Sequence, residues 1–376
     1  MNRIVDDSKC YGCGVCAIVC PKNIIEIKLN SDGFYSPKVI DSAQCIDCGL
    51  CKSICAYYDT SLAVSNSVKQ SFAGWSNNDN IRYLSSSGGV SYEICKYLLS
   101  KDYKFCVVHY NNELNRAEHY IANNEKELYE SIGSKYIQSY TVDAFRSINL
   151  NDKYVVIGTP CQIDSYRRYI KKLKVEDNFI LIDFYCHAVP SMLAWRKYLS
   201  LLERRNITNI KQIAWRNKKY GWHDSYVMTI VDSNNITHNF RKTQKDLFYK
   251  LFFGDYCSNP ACSRRCKYKY DKSSADIRIG DFWGQTYSKD ENGVSSVVAF
   301  TEKGFELLKN CDLTLIQHSF EIVAEGQMRR NIVPAYTSVI ARSLLKCKHV
   351  SLDSLLWKGL FIVEKSLKFI KRKIKI

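Results

Sequence analysis

Residues 10–21 read CYGCGVCAIVCP and residues 45–56 read CIDCGLCKSICA. Each holds CxxCxxCxxxC: Cys10, Cys13, Cys16 and Cys20, then Cys45, Cys48, Cys51 and Cys55, every cysteine 35 residues after its counterpart. This is the ligand spacing of a bacterial ferredoxin with two [4Fe-4S] clusters, and the constant offset is that of a duplicated half-domain. Three cysteines on a tight loop reach three irons of one cubane, while the fourth leaves on a short helix and points at the other cluster. The expected ligand sets are therefore crossed: Cys10, Cys13, Cys16 and Cys55, and Cys45, Cys48, Cys51 and Cys20.

Gly12, Gly14 and Gly49 put small residues where backbone passes close to sulfide and donates amides. Ala56 stands where a proline would match Pro21, costing loop rigidity but no ligand. Zinc prefers two separated CxxC pairs around one ion and leaves these triplets unexplained. The opening MNRIVDDSKC has no apolar core of an export signal, so the thiols are expected to stay out of an oxidising compartment rather than form disulfides.

At 376 residues the chain is too long for a ferredoxin alone. Its formal net charge is +16, and each cubane core with four thiolates subtracts about two, leaving about +12 with two clusters or about +10 with three. Lysines are scattered among Asn and Tyr without helix-turn-helix or zinc-finger spacing, so nucleic acid is not an expected partner. The charge reads as a Lys-rich solvated surface that would also serve an acidic partner or a phosphate-bearing cofactor. No apolar run approaches the ~20 residues of a membrane span.

Residues 57–70 are polar and without period, and read as a linker. From Ser71 strand and helix patterns alternate, with strands at 72–75 and 105–110 and a helix at 90–99 that has Val90, Ile94, Tyr97 and Leu98 on one face. The clearest unit is a strand at 154–157 that runs through Gly158 into a helix with Ile163, Tyr166, Ile170 and Leu173 at core spacing. Thr159 is a natural N-cap and Pro160 a natural first helical residue, so the amides of this turn are expected to face outward toward an anion or a cofactor edge. A second unit repeats the design: a strand at 179–184, then Cys186, His187 and Pro190, then a helix with Met192, Trp195, Leu199 and Leu202. Cys161 and Cys186 thus fall just beyond the carboxyl ends of two buried strands, where open α/β sheets collect ligands. Cys257, Cys262 and Cys266 precede a strand at 276–280, and a close pair from this group would complete the four thiolates of a third cubane. Cys95, Cys106, Cys311 and Cys347 read as structural thiols.

SSGG at 86–89, GSKY at 133–136, TPCQ at 159–162, CH at 186–187, the cysteine group at 257–266 and GD at 280–281 occur in that order. With these motifs the chain resembles the coenzyme F420 (deazaflavin) hydrogenase/dehydrogenase beta-subunit family, fused to an N-terminal two-cluster ferredoxin domain, over nearly everything from Ser71 to about Val333. The resemblance implies a flavoprotein in which a [4Fe-4S] cluster lies beside FAD and electrons pass between clusters and a hydride-accepting coenzyme. It implies Cys161, Cys186 and a CxxC pair as the ligands of that third cluster. The pair here is the longer CxxxC of Cys262 and Cys266, with Cys257 open as a replacement for either.

For the FAD, Ser87, Gly88 and Gly89 precede the helix at 90, where amides can approach a pyrophosphate, while Ser134 and Lys135 bring a charge that offsets it. Thr159, Pro160 and Gln162 complete the expected cofactor site. His187, beside a cluster ligand, is the candidate catalytic residue as hydrogen-bond donor or proton relay, a satisfied structural histidine being the other reading. Arg216, Lys218, Tyr220 and Trp222 read as a surface loop, with a cover over a ring as the alternative.

The expected fold is α+β/α/β: a two-cluster ferredoxin-like domain at 1–62, an α/β flavin-binding domain with a mixed sheet at 71–345, and a basic C-terminal helix at 350–376. In that tail Leu352, Leu355, Leu356, Leu360, Val363, Leu367, Ile370 and Ile374 recur at spacings of three and four among lysines, so the helix either packs back on the domain or lies on an anionic membrane surface. The expected protein is a cytoplasmic iron-sulfur flavoprotein oxidoreductase, with membrane association at the inner face left open. It would take electrons from a redox partner protein or soluble donor and act on a small-molecule substrate or coenzyme; the rival is a non-catalytic electron-transfer subunit of a larger complex.

Overall fold

The computed structural model describes Ile4 and residues 10–374; the rest of the stretch read for an export signal, and Lys375, lie outside the described residues. In the N-terminal unit β1 (Ile25–Leu29) and β2 (Tyr35–Val39) pair antiparallel beside the one-turn helices Val15–Val19 and Leu50–Ser53. Each helix springs from a left-handed glycine directly after a cysteine, Gly14 at φ 80° and Gly49 at φ 71°, a turn that any side chain would strain.

The larger body carries β3 (Gln70–Ser76), β4 (Tyr103–Asn111), β5 (Arg116–Ala122), β6 (Ser139–Tyr140), β7 (Lys153–Ile157) and β8 (Phe179–Phe184). A small antiparallel sheet of β9 (Gln212–Ala214), β10 (Val227–Val231) and β11 (Thr237–Arg241) follows, then β12 (Ile277–Asp281), β13 (Ser295–Ala299) and β14 (Leu313–Gln317). The main sheet has nine strands in the order β14-β3-β13-β12-β8-β7-β4-β5-β6. Its centre, β4, β7, β8 and β12, is parallel and its flanks are largely antiparallel, so the fold is the mixed-sheet α/β architecture expected. Burial on both faces is why β7 over residues 154–157 and β8 over residues 179–182 read as apolar runs. Because these strands run the same way, the turns after β7, β8 and β12 lie side by side at one edge of the sheet.

The cysteine unit is not a bead on a string. Ile4, Val15, Ile27, Tyr35 and Ile54 share one apolar cluster with Cys106, Phe145, Tyr154, Ile163 and Tyr166 of the larger body. Gln138 Nε2 donates to Tyr11 O at 2.9 Å, Thr141 Oγ1 to Cys13 O at 2.9 Å, and Ser191 Oγ to Asp32 O at 2.6 Å. A Cβ on Gly12 would come within 2.5 Å of Gln138 Nε2, so that glycine serves this contact as well as its loop. Residues 57–69 carry no helix or strand, as a linker should, yet they form a strap: Ala63 N donates to the buried Asp164 Oδ1 at 2.7 Å, and Arg168 grips Asp59 and Ser61 O.

The last helix, Leu355–Ile374, packs over its first half. Leu352, Trp357 and Leu360 enter a core with Trp195 and Leu345, and Glu364 Oε2 accepts from Thr337 N and Oγ1, both at 3.0 Å. Every described residue beyond Glu364 is exposed, and no described helix is long and apolar enough to cross a membrane.

Candidate cluster sites and cofactor cavity

Cys10, Cys13, Cys16 and Cys55 line one small cavity of the N-terminal unit, and Cys20, Cys45, Cys48 and Cys51 line the other. These are the crossed sets. Their electrostatics divide the same way: the charges acting on Cys16 come first from Cys13, Cys10 and Cys55, and those on Cys51 from Cys20 ahead of Cys48. Burial, then neighbouring thiols, push Cys16 well above an ordinary thiol and Cys55 up to about 11, a penalty that the positive charge of a bound iron-sulfur core offsets. The sets are not drawn in around single ions, since among the described residues no three His, Cys, Asp or Glu side chains do that; each faces a cavity. The two cavities differ in shelter: Cys16 and Cys55 of the first are buried, whereas Cys48 of the second is exposed.

The sheltered cavity adjoins the larger body. Cys13 Sγ lies 3.3 Å from Ser165 Oγ, four residues along the helix Pro160–Lys172 from Cys161. The same hydroxyl accepts from Ala56 N at 3.2 Å, a donor the missing proline would have removed. Cys161, Cys186, Cys262 and Cys266 then come together: burial is the main cause that raises Cys161, Cys186 to about 11 and Cys262 to about 12, and their mutual charges add to it. Tyr11 sits among them, its hydroxyl donating to Arg265 O and facing the charges of Cys161, Cys266 and Cys262. Cys257 is elsewhere, buried in the apolar core with Met192, Trp195 and Tyr256, and the charges acting on it are Asp255 and Arg342.

At the edge where β7, β8 and β12 end lies a cavity of about 470 Å³. One part of its wall is Ser87, Gly89, Ser134, Lys135, Thr159 and Gln162; Cys186 and His187 form another. An aromatic side is made by Tyr226, Phe252, Phe253 and Trp283, with the Tyr226 and Trp283 rings 6.0 Å apart and 21° from parallel. Gly88 and Pro160 are not in the wall. Gly88 N donates to Ser295 Oγ at 2.9 Å and a Cβ there would collide with Gly74 O, so its smallness serves packing. Pro160 is buried as the first residue of its helix. The amide of Thr159 does not face outward either, because Gln162 Oε1 accepts it at 2.8 Å as half of a capping box.

Lys135 Nζ donates to Ser131 O at 2.8 Å and Ile132 O at 3.3 Å, and burial lowers its pKa to about 7. Those partners are carbonyls, so an anion in the cavity would be its first full counter-charge. His187 Nε2 lies 3.0 Å from Asp255 Oδ1, which also accepts from Ser258 Oγ at 2.9 Å. Lys269 Nζ, another cavity residue, donates to Cys186 O at 2.6 Å and His187 O at 2.7 Å and sets a positive charge beside Cys186 and Cys262.

The 216–222 segment is neither a surface loop nor a cover. Arg216, Lys218 and Trp222 are buried behind the 86–89 turn, and Tyr220 alone of the four is exposed. Arg216 reaches Asp281 at 3.0 and 3.1 Å, Tyr136 Oη at 3.2 Å and Ser86 O at 3.0 Å, while Lys218 Nζ donates to Ser87 O at 2.6 Å and Asn292 O at 2.6 Å. Asp281 compensates the buried Arg216 guanidinium, whereas Lys218 meets carbonyls and burial lowers its pKa to about 7; both side chains hold the turn from behind. Sequence reasoning passed over Tyr11, Tyr136, Lys269 and the pair Phe252 and Phe253. Tyr11 inside the first CxxC and Tyr136 inside GSKY stood next to motifs; the phenylalanines gave no signal beyond apolarity.

The ordered sheet edge, its converging cysteines and the two-fold cysteine unit docked against it define an iron-sulfur redox protein. The chain belongs to the coenzyme F420 hydrogenase/dehydrogenase beta-subunit family, matching its N-terminal region over residues 71–146 and its C-terminal region over 151–317, with a 4Fe-4S dicluster domain over 9–58. It is 25% identical over 326 residues to the coenzyme F420-dependent sulfite reductase of Methanocaldococcus jannaschii, covering 83% of this chain and 47% of that protein. The chain thus spans about half the length of that relative. A chain of the F420-reducing [NiFe] hydrogenase complex from Methanosarcina barkeri aligns at 18% identity and a TM-score of 0.44, over 75% of this chain and 88% of that one.

Proposed function

We propose that the chain is a cytoplasmic iron-sulfur flavoprotein oxidoreductase, passing electrons between its N-terminal clusters and a flavin that exchanges hydride with an organic substrate or a deazaflavin-type coenzyme. Its units would be a two-cluster domain at 1–62, a flavin and iron-sulfur domain at 71–345 and the helical tail at 350–376. The observation that carries the reading is a shared wall: Cys186 and His187 line the 470 Å³ cavity whose other sides are serine-glycine turns and aromatic rings. That volume falls within the roughly 300–1,000 Å³ of sites that bury a cofactor. The crossed sets would hold two [4Fe-4S] clusters, and Cys161, Cys186, Cys262 and Cys266 a third; the position of Cys257 argues against it as a ligand.

A bound FAD supplies the exchange between one-electron and two-electron chemistry. The protein's own groups have separate tasks. Lys135 offsets a phosphate, the turn held by Arg216 and Lys218 shapes the space beside it, and the aromatic side excludes water from a ring. His187, oriented by Asp255, holds or moves a proton at the cavity wall.

Anaerobic purification with iron, sulfide and flavin counted per chain tests it. About twelve irons and one flavin are expected; eight irons and no flavin after reconstitution would overturn it. The rival reading is a non-catalytic electron-transfer subunit of a larger redox complex. Hydride exchange with a coenzyme by the isolated chain would decide for the enzyme.

A further inference from the structure

Residues 333–376 contain ten Lys and Arg against two Asp and Glu, half of the net charge of +16. More than half of the large apolar side chains exposed among the described residues lie in this same segment. On the helix Leu355–Ile374, Trp357, Leu360 and Glu364 turn toward the body. At about 100° per residue the opposite face carries Leu355, Ile362, Val363, Phe369 and Ile370, exposed by 81%, 67%, 49%, 61% and 51%. Lys358, Lys365 and Arg372 run along one flank of that face. Val339 and Ile340 on the adjoining helix Ser338–Lys346 are exposed too.

An apolar face of this extent on a folded chain is an interaction surface. We propose that it docks the protein on an anionic phospholipid membrane, the helix lying in the interfacial plane with its apolar face in the acyl boundary and its lysines against the headgroups. Charge selects this occupant over a second copy of the chain: two such segments would bring like charges together, whereas an anionic leaflet neutralises them. The change at Glu364, with one face packed before it and every described residue exposed after it, leaves the last turns free to lie on a surface. This inference does not depend on which cofactors the chain holds.

The test is flotation of the full chain with vesicles of phosphatidylcholine alone and of phosphatidylcholine mixed with phosphatidylglycerol. Binding to the mixed vesicles alone is expected, weakening as salt rises from about 0.1 to 0.5 M. The paired change Ile362→Glu and Phe369→Glu, and separately Lys365→Gln and Arg372→Gln, should each cut partitioning at least about tenfold. All four positions are exposed, so thermal melting and iron content should stay those of the unmodified chain. Removal of residues 366–376 is a third variant that spares Trp357, Leu360 and Glu364. Failure of the unmodified chain to float with anionic vesicles, or flotation indifferent to all three variants, overturns the proposal. So does a dimer in sedimentation that Phe369→Glu dissolves.

Discussion

A single side chain can report on the arrangement of a whole site, and Cys20 is one. It follows the first cysteine triplet but lines the cavity of the second. Cys20→Ser should therefore damage the cluster at Cys45, Cys48 and Cys51 and spare its neighbour; paramagnetic spectra that lose the Cys10 cluster instead would refute the crossing. Cys161→Ser should lower iron from about twelve to about eight per chain and leave both N-terminal signals intact. Lys135 offers a test by pH. Burial holds it at about 7 in the free protein, and a bound phosphate favours the ammonium and raises that value. Between the two values binding takes up a proton, so affinity for a phosphate-bearing cofactor should be flat below about pH 7 and fall by at most about tenfold per unit above it. Calorimetry at pH 8 in buffers of different ionisation heat should show the uptake, and Lys135→Met should abolish it.

Among the elements, legibility follows the range of the forces involved. The strand Phe179–Phe184 and the helix Val90–Leu99 occupy the residues their patterns indicate, because one is buried on both faces and the other has an apolar stripe behind a glycine. The crossed cysteine sets were legible for the same reason, since an internal repeat carries its own geometry. What was not legible depends on partners far along the chain. The 216–222 segment looks like surface until Asp281 and the carbonyls of Ser86 and Ser87 are placed against Arg216 and Lys218. Thr159 is a local exception: its amide is closed by Gln162 only three residues on, in a capping box that lies within the TPCQ motif itself. Ala56 looked like a lost proline, yet its N–H is used by Ser165. Restoring the expected residue, Ala56→Pro, should therefore destabilise the chain by about 1–3 kcal/mol in chemical denaturation, where a gain in stability would show the hydrogen bond to be dispensable.

For the molecule as a whole, the shared cluster of Ile4, Val15 and Ile54 with Phe145 and Tyr166 means that the two folded regions stabilise one another. A single cooperative transition by near- and far-ultraviolet dichroism is expected, rather than a ferredoxin melting ahead of the rest. The unequal shelter of the two N-terminal cavities, one pressed against Ser165 and the other with Cys48 at the surface, bears on what air does to this protein. Oxidative loss should be sequential: the exposed cluster goes first and the sheltered one outlasts it, because attack follows exposure of the sulfur ligands. Partly aerated samples would then be uniform molecules missing about four irons rather than mixtures of intact and bleached chains. Such a sample would still exchange electrons between its inner centres while having lost its outermost contact with external carriers.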